Sequence, residues 1–161
     1  MSSKTGKSWQ EKLQDAKGLP KVEKITGKLS ERWGVGTVVI PAPKEVDEIM
    51  KKVPQGKLIT INQIRGILAR KYSATISCPI TTGIFAWIAA HAAEEAKAEG
   101  KKNTTCWWRT LKSKGELNEK YPGGGRIQEG HLRQEGFTIE PQKGKKRAKV
   151  KDFEKFLVKL K

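Results

Sequence analysis

Thr104-Thr105-Cys106-Trp107-Trp108-Arg109, followed by Gly115 and then by Tyr121-Pro122-Gly123-Gly124, is the stretch that decides how this chain is read. Two adjacent indoles and an arginine precede a tyrosine and paired glycines. Taken alone, Pro122-Gly123-Gly124-Gly125 is only a turn, and large neighbouring aromatics are ordinary core packing, which we expect for one of the two tryptophans. The surroundings give the stretch its weight. A helical pattern around Ile127 to Gln134 follows it, and two helical patterns with a short connection precede it.

Upstream, Gly36-Thr37-Val38-Val39-Ile40 reads as a short strand stopped by Pro41 and Pro43. Those prolines open a helix. Glu45-Val46-Asp47-Glu48-Ile49-Met50 puts acids in its first turn and Lys51-Lys52 in its last, complementing the helix dipole, before Pro54 and Gly56 end it. Thr60 is a candidate N-cap for the next helix, in which Ile61, Ile64, Ile67 and Leu68 recur at helical spacing up to about Tyr72. Ser77-Cys78-Pro79 turns into an alanine-rich helix expected from Thr81 to Glu99 and closed by Gly100. These two helices form a candidate helix-turn-helix. Ile84, Phe85, Trp87, Ile88 and Ala92 give the second a broad apolar side. Only its start, Thr81-Thr82-Gly83, is expected to be free for phosphates or base edges.

The 161 residues hold 33 Lys plus Arg against 17 Asp plus Glu, a net charge of +16 and a pI near 9.9. That balance implies an anionic partner, nucleic acid first, although ribosomal and membrane-surface proteins share it. No apolar run approaches bilayer length, and Met1-Ser2-Ser3-Lys4 lacks the hydrophobic stretch of a signal peptide. We therefore expect an intracellular protein with no membrane partner, cytoplasmic or, in a prokaryote, nucleoid-associated. Cys78 and Cys106 are too few for a disulfide framework and lack the paired spacing of a zinc site, so neither metal nor cofactor is expected. Residues 1–32 read as a basic, solvated arm with a short helical pattern around Trp9, Leu13 and Ala16; Trp9 and Trp33 are its candidate docking residues. After the central region come two short strands across the Gln142-Lys143-Gly144-Lys145-Lys146-Arg147 turn and a final helix from Asp152. Lys143, Lys145, Lys146, Arg147 and Lys149 are either a solvated run or a phosphate contact.

From about Pro43 to Phe137 the chain resembles the DNA-binding domain of O6-alkylguanine-DNA alkyltransferases. The resemblance begins with Val53-Pro54-Gln55-Gly56-Lys57 and Thr60 to Leu68. It continues in Arg109 and Gly115, and runs without a gap from Tyr121 through Leu132 to Glu135-Gly136. In reacting members the run before the arginine is proline-cysteine-histidine. A cysteine thiolate takes the alkyl group, because the neutral thiol is a poor nucleophile, and a histidine, a water and a glutamate remove its proton. The matching positions here are Trp107, Trp108 and Glu135. An indole N–H only donates, so Trp108 cannot be the base.

Loss of the cysteine with Arg109, Tyr121 and the glycine pair retained resembles the alkyltransferase-like branch, which binds alkylated guanine without repairing it and flags it for excision repair. The resemblance then implies a base pocket of Trp107, Trp108, Arg109, Tyr121, Gly123 and Gly124. Tyr121 would stack on the extruded base, Trp107 would fill the floor, and the glycines would let backbone approach. It implies a DNA-binding set of Thr60, Ile61, Asn62, Ile80, Thr81, Thr82 and Gly83, with Lys145, Lys146 and Arg147. Ile61 stands where reacting members have a tyrosine. Ile80 or Thr81 stands where they have the arginine that replaces the extruded base; an apolar wedge such as Ile80 could unstack a step instead.

Sliding the alignment by one residue would make Cys106 the acceptor, with Glu135, and would unmatch Arg109 and Gly115. Otherwise Cys106 and Cys78 are small core fillers. His91 and His131 are read as packed or surface residues, and Arg109 as an ion-pair partner as readily as a ligand contact. The expected fold is α/β, mainly α: a winged-helix-like helix-turn-helix domain over residues 43–137, a basic arm with a short strand over 1–42, and a hairpin-helix extension over 138–161. The expected function is recognition of O6-alkylguanine in duplex DNA, with an excision-repair factor as partner. The alternatives are a cysteine methyltransferase using Cys106 and a general nucleic-acid-binding regulator.

Overall fold

The computed structural model describes residues 7–160; the first six residues of the expected arm and the last residue of the expected final helix lie outside them. In order the chain forms α1 (Trp9–Gln14), β1 (Lys21–Lys24), α2 (Leu29–Trp33), β2 (Thr37–Ile40), α3 (Pro43–Lys51), β3 (Ile59–Thr60), α4 (Ile61–Lys71), β4 (Ile76–Ser77) and α5 (Pro79–Ala98). Then come β5 (Thr110–Leu111), α6 (Arg126–Gln134), β6 (Ile139–Glu140) and β7 (Lys149–Val150), with 3-10 turns at Trp107–Arg109, Pro122–Gly125 and Phe153–Phe156. No helix among the described residues is long and apolar enough to cross a membrane.

The centre is α5. Its Phe85, Ile88 and the small Ala86, Ala89 and Ala93 are buried with Val46, Ile49 and Met50 of α3 and Ile64 and Leu68 of α4. Alanine at these positions lets the neighbouring helices approach closely and costs no side-chain entropy. The expected Thr60 cap is present: its Oγ1 accepts from Gln63 N–H at 3.2 Å while Gln63 Oε1 accepts from Thr60 N–H at 3.0 Å. That reciprocal pair closes the start of α4. α5 starts two residues earlier than the sequence reading placed it. Pro79 occupies its first position, where a missing N–H costs nothing.

The stretch read as a solvated arm is docked over its described part. Glu95 of α5 accepts from Trp9 N–H at 3.2 Å and Gln10 N–H at 3.0 Å, so its carboxylate sits on the positive end of α1. Leu13 enters the main core, and Trp33 packs on the cluster of Ile25, Val38 and Cys78. β1 pairs antiparallel with β2, which pairs in parallel with β4. The sequence reading failed here because its partners lie some 85 residues along the chain.

The tail also differs. The hairpin forms as β6 and β7, antiparallel with Ile139 opposite Val150, but residues 153–156 make only a 3-10 turn. Phe153 and Phe156 pack into a second core with Leu58, Leu111, Leu132 and Phe137. Beyond them the backbone must be extended, because Val158 N–H donates to Leu58 O at 2.8 Å and Leu58 N–H to Phe156 O at 2.9 Å. A continuing helix would forfeit both bonds.

Candidate functional site

The 3-10 turn of Trp107–Arg109 hangs between α5 and α6 and is fixed by one carboxylate. Glu135 Oε2 accepts from the Trp108 indole N–H at 2.5 Å. The Arg109 Nε–H reaches both Glu135 oxygens at 3.1 and 3.0 Å, and the Arg109 Nη1 donates to Val53 O at 2.8 Å. Gly56 N–H adds a third donor to Glu135 at 3.2 Å. Glu135 therefore ties the end of α6 to the aromatic turn and to the loop before β3, and Arg109 is chiefly its ion-pair partner. These three donors make four hydrogen bonds to one carboxylate and leave it no free acceptor site for a thiol or water.

Trp107 exposes 1% of its surface and Tyr121 2%. Their rings meet edge to face at 5.4 Å. Both belong to the main core; Trp107 is the tryptophan packed as core, whereas the expectation that Tyr121 stacks on a base meets a ring already covered by protein. Burial drives the Tyr121 phenol well above its usual pKa, with Asn118 acting weakly the other way. No group meets hydrogen-bonding geometry at the Tyr121 hydroxyl among the described residues. Trp108 is half-buried and stacks on His131 at 3.8 Å and 11°, with the Arg109 guanidinium 5.7 Å from its ring centre. Burial and then Lys97 push the His131 imidazole below its ordinary pKa, against Glu94 and Glu135.

The glycine loop that follows has φ of +78° at Gly123, +63° at Gly124 and +101° at Gly125. Three successive left-handed residues need glycine. Gly123 lies against Ile127, whereas Gly124 and Gly125 have nothing within 4 Å of where a Cβ would stand. Gly124 and Gly125, with Arg126, open on a cleft of about 250 Å³ that also receives Glu119, Glu129 and Arg147.

Of the residues expected to meet DNA through the helix-turn-helix, Ile80 stands free, 58% exposed. Thr81 and Gly83 are half-buried. Thr82 is not available: it is buried, its hydroxyl donates to Cys78 O at 2.6 Å, and Ser77 Oγ lies 3.1 Å away. Thr60 is spent on its cap, and Ile61 packs against the core. Asn62 is exposed but accepts from Arg65 Nη1 at 3.2 Å. Lys145, Lys146 and Arg147 are exposed on the hairpin, Arg147 pairing with Glu119 at 2.5 Å.

Cys106 is half-buried just before the aromatic turn, and its thiol has no hydrogen-bond partner among the described residues. His131 lies flat on Trp108. Cys78 is buried with Ile25 and Val38 as a packing residue.

Two participants escaped the sequence reading. Gln128 is fully buried on α6: Oε1 accepts from Asn118 N–H at 2.9 Å, and Nε2 donates to the carbonyls of Trp108 and Thr110, each at 3.1 Å. It spans the aromatic turn and the loop before Tyr121. A glutamine facing the core of a polar helix was the available signal. The other is His131, whose i+4 neighbour is the hub carboxylate.

No known protein family's sequence profile matches this chain, and no curated protein matches it in sequence. Solved structures do. S. pombe Atl1 in complex with damaged DNA containing O6-carboxymethylguanine is similar at a TM-score of 0.50 and 19% identity, over 73% of this chain and 94% of that one. S. pombe ATL in complex with DNA is similar at a TM-score of 0.51 and 20% identity over the same shares. At this identity the likeness is one of fold: a mixed, mostly helical chain with the architecture of an alkyltransferase-like protein, as the resemblance implied.

Proposed function

We propose that this protein binds duplex DNA and discriminates O6-alkylated guanine without accepting the alkyl group. The observation that carries the reading is Trp107, buried at the acceptor position and flanked by an indole where a base would stand. The fold it sits in is similar to that of a protein solved with DNA containing O6-carboxymethylguanine, and the net charge of +16 suits a polyanion. Trp107 and Tyr121 serve as the covered floor. The groups that meet DNA are then exposed Ile80 with half-buried Thr81 and Gly83 at the start of α5, and exposed Gly124 with half-buried Gly125 at the glycine loop. Trp108 stacked on His131 is a rigid wall for an extruded ring. Arg109 and Glu135 hold that wall in place.

Matched duplexes with and without one O6-methylguanine, titrated with the protein and followed by intact-mass measurement, test this. We expect tighter binding to the lesion with the protein mass unchanged. A methyl gain abolished by Cys106→Ala would replace the reading with a transferase. Equal affinity for both duplexes would leave a general DNA-binding regulator.

A further inference from the structure

Between Thr138 and Lys151 the chain carries Lys143, Lys145, Lys146, Arg147, Lys149 and Lys151 against the lone carboxylate of Glu140. Among the described residues Arg147 has an ion-pair partner and the five lysines have none. A mobile loop could spread such charge, but this segment is held. Val150 is buried and Ala148 packs beside it in the second core. Leu117 N–H donates to Ala148 O, and Val150 N–H to Gly115 O, each at 3.0 Å. Lys143 and Lys146 exchange backbone bonds at 2.9 and 2.8 Å, closing a tight tip with Lys145 at its end. Like charges fixed close together repel, so the arrangement is relieved by an anion of extended form.

One flank of the hairpin is the wall of the glycine-loop cleft, which holds Gly124, Gly125 and Arg126 together with Gln142 and Arg147. The other flank is a cleft of about 470 Å³ where Lys114, Lys143, Lys146 and Lys149 outnumber Glu116 and Glu140. Arg147 borders both. The segment holds no aromatic residue, whereas surfaces that grip single strands offer stacking platforms.

We propose that residues 141–149 are a cationic wing lying along the phosphate backbone of duplex DNA beside the base inspected at the glycine loop. The wing rests on the DNA-binding reading above and adds a second, sequence-independent grip outside the helix-turn-helix. It sets where flanking duplex must lie, not which base is chosen.

The test compares wild type with Lys143→Gln/Lys145→Gln/Lys146→Gln. A control of equal charge loss, Lys24→Gln/Lys28→Gln/Lys102→Gln, lies elsewhere on the surface. Affinity for plain and O6-methylguanine duplexes is measured across a salt series, with hydroxyl-radical footprints of the lesion duplex. The wing variant is expected to bind both duplexes about tenfold more weakly at low salt and to lower the log affinity versus log salt slope by about 2–3. Its footprint should shorten on one flank, with the lesion preference and the control unchanged. Equal losses in wing variant and control, an intact footprint, or an unchanged slope would overturn the wing. A wild type without lesion preference would sink the proposed function and leave the wing standing if slope and footprint still change.

Discussion

Arg109 and Glu135 form a buried ion pair, Nε to Oε2 at 3.0 Å with side chains 11% and 8% exposed, and it joins the aromatic turn to the residue that caps the C-terminus of α6. Breaking one side leaves the other charge buried and unpaired. We expect Arg109→Ala or Glu135→Ala to cost about 3–5 kcal/mol. The double variant should lose less than the sum, because neither orphan remains. Urea unfolding of the three proteins checks this; additive losses would show that the pair is not coupled.

Trp107 makes a different prediction. Trp107→Cys restores sulfur at the acceptor position, yet no transfer should follow, since Trp108 only donates and Glu135 already accepts four hydrogen bonds. The protein mass should not change after incubation with O6-methylguanine duplex. Removing a fully buried indole should also cost about 3–5 kcal/mol, read from thermal or urea unfolding. A methyl gain in this variant would show that a proton acceptor exists nearby.

Docking of α1 should be sensitive to acid. Burial alone would raise the Glu95 pKa, but hydrogen bonds from Gln10 and Trp9 outweigh it and the net direction is down. A carboxylate lowered in the folded state stabilises fully above its unfolded value and loses that contribution as pH falls through its folded value. Hydrogen-exchange protection of residues 9–14 should therefore fall as pH drops below the ordinary glutamate range. In Glu95→Gln it should be weaker at neutral pH and no longer follow pH in this window.

The glycine loop separates structure from function. Gly123→Ala must adopt a φ of +78° and place its Cβ 2.5 Å from Ile127 Cγ1, so it should destabilise the protein by more than the backbone penalty of about 1–2 kcal/mol. Gly124→Ala meets nothing within 4 Å and should carry that penalty alone. If the loop approaches a guanine, Gly124→Ala should also reduce lesion preference while the protein stays folded at assay temperature. A stable Gly124→Ala protein with full lesion preference would remove the loop from the recognition surface.

Loss of Gln128 should be felt at a distance. Gln128→Ala leaves three buried backbone groups, at Asn118, Trp108 and Thr110, without partners. About 1–3 kcal/mol is expected for each group that water cannot reach. Hydrogen exchange should rise at the Asn118 amide before the rest of the molecule.

Local chemistry made the centre of the fold readable. Thr60 with Gln63, the apolar period of α4 and α5, and the glycines of the loop each act within a few residues, so their signals survive in the sequence. The buried Gln128 and the Trp108–His131 stack depend on partners far along the chain and nothing in their neighbours announces them, while for the docked arm Trp9 and Trp33 marked the contact but not its partners. The candidate site was legible as a set of positions. Its division into a covered floor of Trp107 and Tyr121 and an accessible loop was not, because periodicity does not say which aromatic rings other side chains cover. The tail was misread for a related reason: residues from Asp152 favour a helix locally, but Leu58 needs a strand partner.

That partnership reaches across the molecule. Leu58 is fully buried, with the backbone of residues 156–158 on one side and the second core around it. Trimming the chain to residues 43–137, the stretch whose sequence resembles the alkyltransferase domain, would strip away Val150, Phe153, Phe156 and Leu157. The remainder would carry an unzipped edge and a greasy scar in place of a wall. A fragment designed for minimal size would thus be expected to aggregate before it could be asked about DNA.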